Sequence, residues 1–165
     1  MRTRESLAEL QAEIAKTREL LGKNRAFYRS FSASDLKWLG RKNSSAMVMA
    51  DIITDHYTCI ETLFLRVSQF FENELGKEGW HKELLHKMTL DIKGVRKRVI
   101  SEDTFAILGE LLRFRHFRRY YFEMEYDWDR IDFLLRKYEA LESLLEADLH
   151  RFREFLEELK AHVKE

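Results

Sequence analysis

The 165-residue chain contains no proline, one cysteine and only six glycines. Without proline no helix is forced to break at a missing N–H, and few glycines leave few backbone hinges, so long helices are expected. The lone Cys59 excludes an internal disulfide, and no Cys/His cluster has the spacing of a zinc site. No run approaches the roughly 18 uninterrupted apolar residues that a membrane-spanning helix needs. The 29 basic residues balance 29 acidic ones. The chain as a whole therefore feels no pull toward nucleic acid or lipid, and any such binding must use a local patch. The start, Met1-Arg2-Thr3-Arg4-Glu5, lacks the apolar core of a signal peptide, which predicts a cytoplasmic protein. With 45% apolar and 35% charged residues, the composition excludes a disordered polyampholyte. The length fits one domain, residues 1–165, with a real hydrophobic core.

Apolar spacing then divides the chain. Leu7, Leu10, Ile14 and Leu20 or Leu21 recur at helical intervals over residues 3–31. Ser32, Ser34 and Asp35 read as a cap before a short turn at Leu36–Leu39, and a long apolar helix is expected over about 46–74. Gly76–Gly79 reads as a loop, Trp80–Met88 as a short helix, and Asp91–Val95 as a connector. Ser101-Glu102-Asp103-Thr104 has the signature of a helix start, acidic in the first turn, and that helix is expected to reach about Met124. Asp127 caps a last helix to near Val163, with Ile131, Leu134, Tyr138, Leu141, Leu145, Phe152, Leu159 and Val163 on one stripe. An all-α bundle of four or five helices is the simplest architecture.

Chemistry concentrates in one segment of the penultimate long helix, Glu110-Leu111-Leu112-Arg113-Phe114-Arg115-His116-Phe117-Arg118-Arg119-Tyr120-Tyr121-Phe122. Leu108, Leu111, Arg115, Arg118 and Phe122 share a stripe, so arginine interrupts an apolar face. An inward guanidinium needs a carboxylate, a carbonyl or a phosphate, because an unpaired buried charge costs several kcal/mol. A carboxylate would make it a structural pair; a phosphate would make it a clamp, to which the planar fork is matched. His116 and Tyr120, four residues apart, stack on one face about 6 Å apart. A histidine beside arginines has the chemistry of a general acid or base near neutral pH.

These residues carry a resemblance. Trp80, His81, Leu84 and Leu85, then Val99, Ile100, Ser101, Asp103 and Thr104, then Leu112-Arg113-Phe114-Arg115-His116-Phe117, then Tyr126-Asp127-Trp128-Asp129-Arg130 resemble the HepT-like branch of the HEPN domains. Asp55-His56-Tyr57-Thr58-Cys59-Ile60-Glu61 on the second long helix does so as well, and together they cover about 50–135. The resemblance implies a four- to five-helix HEPN-type bundle, usually a homodimer. It also implies a metal-independent endoribonuclease, the toxin of a toxin–antitoxin module whose antitoxin is a minimal nucleotidyltransferase. No cofactor is implied. In such domains an arginine steadies the scissile phosphate and a histidine handles the proton of the attacking 2′-hydroxyl. The partner can attach AMP to a motif tyrosine.

Carried over by position, the motif arginine falls on Arg115 and the polar residue after it on His116. The histidine position is Tyr120 and the tyrosine position is Phe122. A phenol with a pKa near 10 is a poor general base at neutral pH. Two readings stay open: His116 supplies the imidazole, or the site keeps phosphate binding and has lost cleavage. The expected catalytic group is therefore Arg115, His116 and Tyr120, with Arg113, Arg118 and Arg119 as RNA contacts. Tyr120 and Tyr121, with Tyr126 nearby, are the candidates for nucleotidylation, although none occupies the family's tyrosine position.

Other polar residues are weaker candidates. Lys93, Arg96, Lys97 and Arg98 read as a solvated turn, or as an extension of an RNA-backbone groove. His56 reads as a core or rim histidine, or as one facing the motif; His81, His86 and Glu83 make a weak metal site at best; Trp80 reads as a core or interface anchor. The expected function is RNA cleavage within a two-gene module. The alternatives are a non-catalytic module binding RNA, a nucleotide or the nucleotidyltransferase, and a helical adaptor whose arginines pair internally.

Overall fold

The computed structural model describes residues 3–72, 80–121 and 125–163, with only the backbone of Tyr121. The expected Gly76–Gly79 loop, Phe122 and the helix end near Met124 lie outside the described residues.

Helix α1 (Arg4–Ser30) begins at Thr3, whose hydroxyl accepts the Ser6 N–H while Ser6 answers on the Thr3 backbone, a reciprocal cap. Its inner face buries Leu7, Leu10, Ile14 and Leu21, as the spacing predicts. The cap expected at Ser32, Ser34 and Asp35 is not formed. The backbone runs straight through Phe31–Asp35 as a π-helical turn, and Asp35 stays helical without capping anything. The reason is packing: Phe31 is buried, and holding it inward keeps the chain helical into α2 (Leu36–Leu39). The actual stop is Gly40, at φ 72°, a left-handed conformation that glycine adopts without steric cost.

Helix α3 (Asn43–Glu72) is the central member, apolar over most of its circumference, and packs against α1, α4 (Trp80–Lys87), α5 (Glu102–Tyr121) and α6 (Trp128–His162). The result is an all-α bundle of α1, α3, α5 and α6, with the short α4 against α3 and α5. In α6 the predicted stripe is buried from Ile131 through Phe152, with Leu149 and Leu156 added, while Leu159 and Val163 are half-buried. Asp127 accepts the Asp129 N–H at the start of α6, the expected cap.

The segment between α4 and α5 turns at Gly94 (φ 76°), where Ile92 and Arg96 pair as an isolated bridge. Arg96 is not a solvated cation. Its side chain is fully buried, with Nε donating to Glu72 Oε1 at 2.7 Å and the other nitrogens donating to the carbonyls of Lys87 and Leu90. It ties the turn to the ends of α3 and α4. The start of α5 is fixed from α6: buried Asp148 accepts the Ser101 N–H (2.9 Å), the Ser101 hydroxyl (3.1 Å) and the Thr104 hydroxyl (2.5 Å). With the start of α5 held this way, the helix packs against α3, α4 and α6. Among the described residues no helix is long and apolar enough to cross a membrane.

Candidate functional site

On α5, Leu108 and Leu111 enter the core, and one turn later the same stripe reaches Arg115. The guanidinium meets a carboxylate inside its own chain. Arg115 Nη1 donates to Glu61 Oε1 at 2.9 Å and Nη2 to Glu61 Oε2 at 3.1 Å, a two-pronged pair across α3 and α5. Nη1 also donates to the Thr58 hydroxyl at 3.3 Å, and the guanidinium lies 4.8 Å above the Tyr57 ring. Tyr57 donates its own hydroxyl to Glu61 Oε2 at 3.1 Å. Burial first, then the charge of Glu61, pushes the Tyr57 phenol far above its ordinary value, so it remains a donor. Glu61 is itself buried. The structural alternative for the arginine is thus the one realised.

His81, from the first turn of α4, completes the cluster. Its Nδ1 is 2.9 Å from Glu61 Oε2 and 3.2 Å from Arg115 Nη2. Only the carboxylate offers a lone pair and a full charge to an Nδ1–H, so that is the stronger bond. The Trp80 ring packs on the His81 ring, tilted by 31° with centroids 4.1 Å apart, and restricts its rotation. Nothing in the spacing of Glu61 and His81 along the sequence joins either to Arg115. The one available signal was that both lie in the segments that carry the family resemblance. His86, the expected companion of His81, instead meets the edge of Phe105. Among the described residues no group of three or more His, Cys, Asp or Glu is placed to hold a metal ion.

Above this cluster lies a groove of about 320 Å³, lined by His81 and Lys82 of α4 and by Leu112, Arg113, Arg115, His116, Arg119 and Tyr120 of α5. Among the described residues its lining holds four cationic side chains, two imidazoles and no carboxylate; Arg113 is paired with Glu110 at 2.7 Å and Arg115 with Glu61, both outside the lining. In a chain of zero net charge, this is the local patch that anion binding requires. His116 and Tyr120 pack ring against ring with centroids 4.4 Å apart, as their spacing predicts, and the Arg119 guanidinium lies 5.8 Å from the Tyr120 ring. Both rings are exposed, a surface on which an unpaired base can stack.

Of the expected site residues, the groove gathers Arg113, Arg115, His116, Arg119 and Tyr120. Arg118 is a correction. It turns toward α3, donating to Asp51 Oδ1 (2.6 Å), the Thr54 hydroxyl (2.9 Å) and the Tyr126 hydroxyl (3.0 Å), because it continues the Arg115 stripe rather than the groove face. Tyr126 is accordingly drawn to Arg118, and the Tyr121 side chain lies outside the described atoms.

The second basic cluster does not extend the groove. From Glu102 to Arg115 the helix rises about 20 Å, so Lys93, Lys97 and Arg98 lie toward the far end of α5. There they border a separate hollow with Arg151, Phe155 and Leu159 of α6. His56 does not face the motif either. It is buried against α1 and α6, with Nδ1 donating to Asn24 Oδ1 at 2.9 Å and its ring edge-on to Tyr138. Burial, with Arg25 nearby, pushes its pKa down to about 3, so it is a neutral core residue.

Comparison with known proteins agrees with the all-α bundle. No curated protein and no solved structure matches the chain. The family model described as HepT-like protein matches residues 48–156, which run from α3 through most of α6 and include every residue of the groove. The match covers well over half of the sequence, and the chain belongs to the HepT-like family.

Proposed function

We propose that the protein is the toxin component of a two-gene module, a metal-independent endoribonuclease that holds single-stranded RNA in the groove between α4 and α5. The observation that carries this reading is the groove lining: Lys82, Arg113, Arg115 and Arg119 beside two imidazoles and a tyrosine, with no carboxylate among the described lining residues. Exposed Arg113 and Arg119 are suited to the phosphates, Tyr120 to a base, and His116 to proton transfer at the scissile phosphodiester. The partners expected for such a toxin are a second copy of the chain and a minimal nucleotidyltransferase antitoxin, in the cytoplasm. Tyr120, on the groove rim and exposed, is the accessible candidate for an attached nucleotide, with Tyr121 beside it in sequence. The contacts of α1 with α3 and α6 support one functional unit over residues 1–165.

The test is purified protein with single-stranded RNA in EDTA, read for 2′,3′-cyclic phosphate ends. Cleavage by the wild type, lowered about 10²–10⁴-fold in His116→Ala with the helical fold intact, is expected.

A second reading is favoured by Tyr120, which stands where the family has histidine: an RNA-binding module that has lost cleavage. Its signature is a wild type that binds RNA without cutting it, with activity gained in Tyr120→His.

A further inference from the structure

We infer that His81, oriented by Glu61, is the general base of the RNA cleavage reaction, in the role left empty by Tyr120. This rests on the reading of the groove as a ribonuclease site and names a further catalytic residue within it.

Three observations converge. First, His81 lines the groove, with about a third of its side chain exposed, next to Arg113, Arg115 and His116. Second, its Nδ1 lies 2.9 Å from a buried carboxylate, Glu61 Oε2. A carboxylate in that position holds the proton on Nδ1, leaves Nε2 with its lone pair, and stabilises the imidazolium once Nε2 has taken a proton. The same logic orients the histidine of a serine-protease triad. Third, the ring is clamped by Trp80, and Glu61 is in turn fixed by Arg115 and Tyr57. His116 has no such support: among the described residues it meets the Tyr120 ring and no hydrogen-bonding partner. Of the two groove imidazoles, only His81 has a carboxylate partner, and the shorter contact, 2.9 Å to Glu61 against 3.2 Å to Arg115 Nη2, favours the tautomer with the proton on Nδ1.

The two histidines then divide the reaction. The ribose 2′-oxygen attacks the adjacent phosphorus while its proton passes to His81 Nε2. The bond from phosphorus to the 5′-oxygen breaks, and that oxygen leaves with a proton from His116 in its protonated form. The products are a 2′,3′-cyclic phosphate and a 5′-hydroxyl; His81 has gained the proton of the 2′-hydroxyl and His116 has given one to the 5′-oxygen. Arg115 is a positioning residue here: its fork holds Glu61, which holds His81.

The test uses His81→Asn, whose amide N–H can replace Nδ1–H on Glu61 while the base nitrogen is removed. Cleavage of single-stranded RNA in EDTA is expected to fall about 10²–10⁴-fold, with RNA still bound and the helical fold intact. A substrate with sulfur replacing the bridging 5′-oxygen separates the roles, because a thiolate leaves without a proton. It is expected to restore His116→Ala and not His81→Asn. Undiminished cleavage by His81→Asn, or its rescue by the sulfur substrate, overturns the assignment of the base while leaving the ribonuclease reading in place. A wild type that cuts neither substrate overturns both.

Discussion

Arg115 grips Glu61 with both terminal nitrogens, at 2.9 and 3.1 Å, although 54 residues separate them in the sequence. The pair explains why arginine interrupts the apolar stripe of α5: its charge is answered from α3 within one chain. Removing one partner leaves the other buried and uncompensated, which costs about 3–5 kcal/mol. Glu61→Gln keeps the shape but not the charge, and chemical denaturation should show it destabilised by about 2 kcal/mol or more. Arg115→Lys is expected to recover little, since an ammonium cannot make the two-pronged contact. A double-mutant cycle with no coupling between the two positions would contradict the geometry.

The groove and the turn at Gly94 make opposite demands on their cations. Arg119→Ala and Lys82→Ala are each expected to weaken RNA binding and to lower the slope of log affinity against log salt by about one. Lys97→Ala, at the far end of α5, is expected to leave the slope unchanged. Titrations at several salt concentrations decide, and equal losses in all three would move the RNA path away from the groove.

Arg96→Ala, in the same sequence cluster as Lys97, is expected to act on stability instead. Its fully buried guanidinium is the partner of Glu72, and loss of it should cost on the order of 3 kcal/mol, visible as a lowered thermal midpoint. A variant as stable as Lys97→Ala would show that the pair contributes nothing.

His56 gives the fold a pH dependence of definite sign. Its pKa falls from the ordinary 6.5 to about 3 on burial. Between those values the unfolded chain binds a proton that the folded chain does not, so stability is full above about pH 6.5 and declines as pH falls toward 3. The contribution reaches about 1.4 kcal/mol per pH unit within that window. Comparing the wild type with His56→Asn by denaturation at pH 7.5 and pH 5 should show a smaller acid loss in the variant.

The family resemblance also implies a second copy of the chain. Light scattering at micromolar concentration is expected to give twice the 19.9 kDa of the chain, and a stable monomer would remove the dimer from the proposal.

The sequence by itself determined the helices and the faces they bury. Without proline, the spacing of Leu7, Leu10 and Ile14, or of Ile131, Leu134 and Tyr138, leaves one stripe to hide, and Asp127 marks a start by the chemistry of its own side chain. The stacking of His116 on Tyr120 was legible for the same reason, being set four residues apart on one helix. Tertiary structure decided everything that depends on a neighbour from another helix. Ser32, Ser34 and Asp35 have the residue types of a cap, yet burial of Phe31 carries the helix through them. Arg96, Lys97 and Arg98 look alike in sequence, and only the position of Glu72 makes Arg96 a buried tie. Arg115, Glu61 and His81 come from three helices, and their meeting is fixed by how α3, α4 and α5 rotate against one another. Periodicity names the face on which a charge lies; whether that charge finds a carboxylate or faces open solvent depends on the register of packing, which no local spacing records.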